Sequence, residues 1–308
     1  MAQEQPEPQG VVVSASPPES GDADHAVKIN SLRYAFPGAP KPVISNFSLS
    51  LPRGSRCILM GENGAGKTTL LQLIAGQYMV GRDAIRVLGR PAFHDTSLVC
   101  SGDLSYLGTS WRRDVAFAGY GVALQGDFSA GEMIRGVKDV DPARRDRLIT
   151  LLRIDEGWRM MRVSDGQRRR VQICMGLLKP YSVLLLDEIT VDLDIVGRLD
   201  LLEFFEQECD ERGCTIIYAT HIFDGIEPWV THFAYLENGE LVKGGEAKDL
   251  AAMTNGAKLL KTVEQWLRKA RDDRRARNEK SPEQGRVQPM PKATATRFFP
   301  NKHMAFYR

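Results

Sequence analysis

A glycine-rich segment that ends in lysine and threonine carries the clearest chemistry in this sequence. It matches the pattern G-x-x-x-x-G-K-[ST], and the positions concerned are Gly61, Asn63, Gly64, Ala65, Gly66, Lys67, Thr68 and Thr69. Glycines allow the backbone to wrap around phosphate groups, and the N-terminus of a following helix adds its positive dipole end. We expect Lys67 to contact the β- and γ-phosphates of a nucleotide and Thr68 to ligate Mg²⁺. A glycine turn without a ligand is the alternative, and the presence of both lysine and threonine argues against it.

Two carboxylates at the end of an apolar segment form the acidic complement of this phosphate loop. Val183–Leu186 predicts a buried strand, and Asp187 and Glu188 follow it directly. We expect Asp187 to hold Mg²⁺, directly or through water, and Glu188 to orient or deprotonate an attacking water. Acids at a strand end also serve as helix caps, so this motif is specific only in combination with the phosphate loop.

Strands that alternate with helices must position these residues. Apolar segments at 56–60, 182–186 and 214–219 predict buried strands of a parallel sheet. Helical patterns at 66–75 and 197–211 lie between such strands, which predicts an α/β architecture with right-handed crossovers. Sheets of this kind bind ligands at the carboxyl ends of their strands, where both motifs fall.

Three further segments narrow the class of nucleotide-binding protein. In chain order they are Val163-Ser164-Asp165-Gly166-Gln167, Val191-Asp192-Leu193-Asp194 and Tyr218-Ala219-Thr220-His221. Together with the first two motifs, their order and spacing resemble the Walker A, signature, Walker B, D-loop and switch-histidine segments of ABC-type ATPases. The resemblance covers residues 27–250 as one ATPase domain. It implies an α/β fold with a P-loop NTPase core and parallel sheet, an antiparallel β subdomain, and a helical signature subdomain at about 103–180.

The resemblance implies an ATP hydrolase that works as a head-to-tail homodimer. ATP would lie between the phosphate loop of one copy and the signature segment of the other. Catalysis is assigned to Lys67, Glu188 and His221, with the histidine bridging the γ-phosphate, the water and the glutamate. The γ-phosphate contacts and the coupling between sites are assigned to signature and D-loop residues of the second copy, namely Ser164, Gly166, Gln167 and Asp194.

The family also places an aromatic residue upstream of the phosphate loop to stack on adenine. Phe36 is the best aligned candidate and Tyr34 is the second. Packing of either ring in the core is the alternative, because aromatic side chains contribute large apolar area there.

The sequence departs from the family pattern at two places. Asp165 occupies a signature position that is usually small, and a carboxylate there repels phosphate unless a cation meets it. The glutamine expected after Leu104–Leu107 is missing, with Thr109 at its position and Trp111-Arg112-Arg113 shortly after it.

In these two departures the sequence resembles the small, non-intrinsic ABC proteins of yeasts and plants, which lack membrane domains. Yeast members associate with a transcription and mRNA-deadenylation complex, which implies a protein partner of that kind.

Charge is distributed unevenly along the 308 residues, although 41 Lys plus Arg against 39 Asp plus Glu leave a net charge of only +2. Residues 1–26 are acidic and proline-rich, and we expect them to be disordered. Residues 251–308 predict a basic amphipathic helix, with Leu259, Val263 and Trp266 in an apolar stripe, followed by a basic aromatic tail. We expect the stripe to pack on the core; nucleic acid or an anionic membrane surface is the alternative partner.

Composition excludes several classes of protein. The sequence contains no apolar run of about 18 residues, no secretory signal at its start, and no C-x-x-C among its five cysteines. We therefore expect a soluble, cytoplasmic ATPase, with a nuclear or membrane-peripheral location as alternatives. We expect ATP-driven closure of the homodimer to act on a protein partner. The alternatives are the nucleotide-binding subunit of a transporter with a separate membrane protein, and a scaffold that binds ATP with little turnover.

Overall fold

The computed structural model describes residues 25–108, 128–249 and 259–280, with side chains up to residue 272 in the last range. The sequence-based predictions for residues 1–24, for Thr109, for Trp111–Arg113 and for the tail beyond residue 280 lie outside these ranges. All elements below belong to the described residues.

Two sheets organise the described residues. Their strands are β1 (His25–Tyr34), β2 (Ile44–Pro52), β3 (Arg56–Gly61), β4 (Ile85–Val87), β5 (Arg90–Pro91), β6 (Leu104–Leu107), β7 (Val183–Asp187), β8 (Thr215–Ala219), β9 (His232–Glu237) and β10 (Glu240–Glu246). A four-stranded antiparallel sheet has the order β2-β1-β4-β5, and a six-stranded sheet has the order β10-β9-β3-β8-β7-β6. In the larger sheet every neighbouring pair is parallel except β9 and β10.

The middle of the larger sheet brings the predicted motifs together. Strands β7 and β8 are buried at every position, as expected for parallel strands covered on both faces. Because β8 lies between β3 and β7, the carboxyl ends of all three strands meet at one edge. The phosphate loop follows β3, Glu188 follows β7, and His221 follows β8 by two residues.

Helices connect and cover the sheets. They are α1 (Lys67–Ile74), α2 (Ser97–Cys100), α3 (Ala130–Gly136), α4 (Pro142–Leu151), α5 (Asp165–Leu177), α6 (Ile195–Arg212) and α7 (Leu259–Lys280), with a short 3-10 helix at Glu227–Trp229. Side chains cap several N-termini: Ser129 and Ser164 form capping boxes for α3 and α5, and Asp194 caps α6. Within the described ranges, no helix has the length and apolar character needed to cross a membrane.

Helix α7 packs on the core through the apolar stripe predicted from the sequence. Leu259 and Val263 are buried, and the Trp266 ring lies 5.2 Å from that of Tyr235 on β9. The Nζ atom of Lys243 lies 4.5 Å from the Trp266 ring centre, which adds a cation–π contact. The stripe therefore attaches this helix to the β9–β10 side of the larger sheet.

Candidate functional site

The phosphate loop is built around glycines that other residues could not replace. Gly66, the residue before α1, has a left-handed φ of +106°, and a Cβ atom there would lie 2.8 Å from Cδ1 of Ile44. A Cβ atom on Gly61 would collide with the carbonyl oxygen of Leu236. The conformation and the close approach both require glycine. The loop therefore forms a cradle of the shape that a phosphate chain needs at the N-terminus of α1.

Lys67 is held inside this loop. Its side chain is largely buried, and Nζ donates hydrogen bonds to the carbonyl oxygens of Gly61 and Glu62 at 2.8 and 3.0 Å. Burial lowers the pKa of Lys67 from its ordinary value, and the neighbouring carboxylates of Glu188 and Asp187 oppose that shift. A bound polyphosphate would add further negative charge next to this buried ammonium group.

Asp187 and Thr68 meet at the predicted metal position. Asp187 is almost fully buried, and burial is the main reason that its pKa is raised; a hydrogen bond from Thr68 opposes the shift. The hydroxyl of Tyr106 on β6 donates a second hydrogen bond to Oδ2 of Asp187 at 3.3 Å. A hydroxyl and a carboxylate oxygen side by side are the ligand types that Mg²⁺ uses, and a cation would offset the cost of the buried carboxylate. These residues therefore fit Mg²⁺.

Glu188 and His221 stand next to each other at the same sheet edge. The Nδ1 atom of His221 lies 3.3 Å from Oε1 of Glu188, and the two side chains are 53% and 26% exposed. Glu188 has a left-handed φ of +51°, and its N–H donates to the carbonyl oxygen of Ala219 at 2.9 Å. A non-glycine residue in this conformation is strained, and such strain is concentrated at functional sites. The pair is accessible to water, and its imidazole and carboxylate lie within contact distance of each other.

The signature segment forms the exposed N-terminus of α5. The Ser164 hydroxyl accepts a hydrogen bond from the Gln167 N–H, and the Gln167 side chain accepts one from the Ser164 N–H. Asp165 points into solvent and accepts a hydrogen bond from Arg168 at 2.7 Å, so a cation does meet the carboxylate that departs from the family pattern. Across the described ranges, no hydrogen bond joins Ser164, Gly166 or Gln167 to the phosphate loop of the same chain.

Asp194 caps α6 by accepting a hydrogen bond from Gly197 N–H at 2.7 Å. The other carboxylate oxygen lies 3.6 Å from Nη2 of Arg170 on α5 and 3.8 Å from Nη1 of Arg153. Within one chain, Asp194 therefore links the start of α6 to the signature helix.

Phe36 belongs to a cluster of three aromatic rings. Its ring centre lies 5.2 Å from that of Tyr34 and 5.4 Å from that of Tyr78, both in edge-to-face geometry. All three side chains are half-buried. Tyr78 lies four residues beyond the end of α1, the helix that follows the phosphate loop, so one ring of the cluster is close in sequence to the phosphate site. An adenine ring would stack on such a partly exposed aromatic surface.

Three residues of the site were missed by the sequence reasoning: Tyr78, Tyr106 and Arg169. For Tyr78 the available signal was an aromatic residue directly after the helix that follows the phosphate loop. For Tyr106 it was a hydroxyl within a short apolar strand. For Arg169, the Arg168–Arg170 run pointed only to cations near Asp165, whereas the structure buries the middle arginine.

Known proteins are similar to this chain in sequence. A family model described as "ABC transporter" matches residues 44–191. ABC transporter I family member 20 of Arabidopsis thaliana is 56% identical over 266 residues, which cover 84% of this chain and 81% of the relative. CCR4-associated factor 16 of Saccharomyces cerevisiae is 38% identical over 230 residues, which cover 70% of this chain and 77% of the relative. The predicted resemblance to plant and yeast members is confirmed.

Solved structures agree on the fold. An ATP-binding subunit of an ABC transporter superposes with a TM-score of 0.63 at 23% identity, covering 78% of this chain and 98% of that one. A dimeric post-hydrolysis ATP-binding cassette bound to ADP and Pi gives 0.58 at 17% identity, covering 72% and 98%. These identities show the fold alone, and they confirm the predicted P-loop class. With the sequence relatives, they establish that this chain belongs to the ABC-type ATPase family.

Proposed function

We propose that the chain binds and hydrolyses MgATP as a head-to-tail homodimer and that closure of the dimer acts on a protein partner. The observation that carries the proposal is the Glu188–His221 pair at the sheet edge that also holds Lys67 and Asp187. One chain has one such edge, and its signature segment makes no hydrogen bond to its own phosphate loop in the described ranges. A second copy would complete the site.

Each residue has a role that follows from its surroundings. Lys67 and the backbone N–H groups of the phosphate loop bind the phosphates. Glu188 orients or deprotonates the attacking water, and His221 holds the glutamate and the transferred group in place. The N-terminus of α5, with Ser164 and Gly166, supplies N–H donors to the γ-phosphate of the other copy.

Thr68 and Asp187 would hold Mg²⁺, which neutralises negative charge on the phosphates when it is bound. Phe36 would stack on adenine, with Tyr34 and Tyr78 supporting its ring. Asp194 would couple the two sites through its contacts with the signature helix.

The name of the yeast relative, CCR4-associated factor 16, supports a protein partner for this chain rather than a small-molecule cargo. A cytoplasmic location is part of the same proposal. The specific alternative is a subunit of a membrane transporter, which the family model and the transporter subunit of similar fold support.

The Glu188→Gln variant tests the proposal. We expect hydrolysis to fall by about 10²–10⁴-fold while ATP binding remains, so a dimer accumulates with ATP and is measured by light scattering. Glu203→Gln, which changes an exposed carboxylate on α6, is the matched control and should behave as the unmodified protein. A Glu188→Gln protein that stays monomeric at saturating MgATP contradicts the dimer.

Affinity purification of Glu188→Gln with MgATP separates the two kinds of partner. Co-purification of a protein without membrane spans, lost in the Lys67→Met variant that cannot bind nucleotide, supports the proposal. Stoichiometric recovery of a multi-span protein from detergent-solubilised membranes supports the transporter alternative.

A further inference from the structure

Arg169 on α5 is a buried cation that forms no ion pair with any residue in the described ranges. It is only 6% exposed, and in the described ranges no carboxylate lies within ion-pair distance of it. Burying an unpaired charge is costly unless its donors are satisfied. Burial lowers the pKa of the guanidinium, and Asp192 and other nearby groups oppose that shift. The site of Arg169 is therefore defined by hydrogen bonds rather than by an ion pair.

Those hydrogen bonds go to two strand ends of the candidate site. Nε donates to the carbonyl oxygen of Ile189 at 3.1 Å and Nη2 to that of Glu188 at 3.4 Å. Nη1 donates to the carbonyl oxygen of Gly108, at the end of β6, at 2.8 Å. One planar guanidinium thus holds two consecutive carbonyls after β7 and one after β6. The N–H donors of a guanidinium have fixed directions that suit this arrangement, whereas the compact ammonium group of a lysine would not suit it.

A second side chain of α5 completes the contact. The Oε1 atom of Gln172 accepts a hydrogen bond from Nη1 of Arg169 at 2.6 Å, and its Nε2 atom donates to the Gly108 carbonyl at 3.2 Å. Arg169 and Gln172 are one helical turn apart. Both are buried. The pair forms a clamp between the signature helix and the two strand ends.

The clamp acts on a strained residue. Glu188 has a left-handed φ, its N–H is bonded to Ala219, and its carbonyl is bonded to Arg169. Because both peptide groups of Glu188 are held, the direction of its side chain depends on the position of α5. The same helix begins at the signature segment, with Ser164 as its N-cap.

We propose that Arg169, with Gln172, is a positioning residue that transmits the placement of the signature helix to the carboxylate of Glu188. The inference rests on the proposed hydrolytic function and adds a route inside one chain by which contact at the signature segment aligns the glutamate. Among the described residues, Arg169 bonds to three backbone carbonyls and to Gln172 and makes no hydrogen bond to the phosphate loop. We therefore expect its effect on the turnover number and not on nucleotide affinity.

Substitution of Arg169 by Met and by Lys tests this inference in the full-length protein. We expect Arg169→Met to lower kcat by about 10²-fold, the size of effect that a misplacement of about 1 Å produces. The ATP Kd stays within about threefold, since the phosphate loop is untouched. We expect Arg169→Lys to have a smaller decrease in kcat than Arg169→Met, because lysine keeps the positive charge but lacks the planar guanidinium.

The matched control is Arg144→Met. Arg144 is also a largely buried arginine, bonded to Glu208 and to the carbonyl of Leu177, so we expect its loss to lower thermal stability and to leave kcat unchanged. Gln172→Leu removes one arm of the clamp while retaining Arg169. It gives a smaller decrease in kcat and keeps the test valid if Arg169→Met does not fold.

A double-mutant cycle separates positioning from a general structural role. If Arg169 acts through Glu188, adding Arg169→Met to Glu188→Gln lowers the residual hydrolysis no further. The inference is overturned if Arg169→Met and Gln172→Leu keep kcat within twofold, if Arg144→Met loses as much kcat as Arg169→Met, or if the two losses in the cycle simply multiply. Failure of the proposed function is distinct, because the unmodified protein would then show no hydrolysis.

Discussion

The Nδ1 atom of His221 and the Oε1 atom of Glu188 lie 3.3 Å apart, although the two residues follow different strands of the parallel sheet. The glutamate is held in a left-handed conformation and the histidine is more than half exposed. This places an imidazole, a side chain that is able to transfer protons, next to the carboxylate that would act on water in the proposed function. The catalytic part of the proposal depends on this pair.

Replacement of His221 by Ala should therefore lower the rate of ATP hydrolysis by about 10²-fold with little change in ATP affinity. Steady-state phosphate release and equilibrium ATP binding measure the two effects. His94→Gln is the control, because His94 is exposed and its Nε2 atom contacts the carbonyl oxygen of Val80 at 2.9 Å. A His221→Ala protein with unchanged kcat would remove the histidine from the mechanism.

The raised pKa of Asp187 predicts that the stability of the nucleotide-free protein depends on pH. Its pKa in the folded protein is raised above the ordinary value of 3.8, chiefly by burial. Folding therefore favours the protonated carboxyl, and this contribution to stability is present below 3.8 and is lost as pH rises through the raised pKa. At neutral pH the ionised carboxylate destabilises the nucleotide-free protein.

Asp187→Asn should consequently raise the Tm of the nucleotide-free protein at pH 7 in the presence of EDTA. The gain should shrink as pH is lowered through the raised pKa, and hydrolysis should be lost at every pH. Thermal melts from pH 4 to 8 provide the measurement. Asp224→Asn, an exposed carboxylate, should show no such pattern, and an Asp187→Asn protein that melts lower at pH 7 would refute the argument.

Phe36→Ala should weaken ATP binding by about tenfold, because stacking of an aromatic ring on a base contributes about 1–3 kcal/mol. Binding of inorganic triphosphate, which has no base, should not change. Titration calorimetry with both ligands separates the adenine contact from the phosphate contacts. Phe93→Ala, whose ring packs against His94, serves as control; equal weakening for both ligands would show that Phe36 supports the fold instead.

Trp266→Ala should lower the free energy of unfolding by about 2 kcal/mol, because the half-buried indole loses its packing on Tyr235 and its contact with Lys243. ATP hydrolysis per folded molecule should stay the same. Urea unfolding measures the loss, and Lys269→Ala on the exposed face of α7 should stay within about 0.5 kcal/mol. A neutral Trp266→Ala would mean that the stripe does not stabilise the core.

Local spacing predicted the regular elements well but not their ends. The sequence pattern placed a helix at 197–211, whereas α6 is Ile195–Arg212. The difference at its start arises because Asp194 caps the helix, which extends it beyond the apolar pattern. At its end, Gly213 adopts a left-handed conformation and stops the helix one residue later than predicted.

The sequence by itself determined the phosphate loop, the strand-end carboxylates and the family, because those motifs are contiguous and their spacing is set by the chain. Only the tertiary structure decided which distant residues support them. Tyr106 is 81 residues from Asp187 and Arg169 is 61 residues from Gly108. No pattern within a window of sequence encodes such contacts. They exist because β6, β7 and the signature helix are packed side by side, and packing depends on the whole chain.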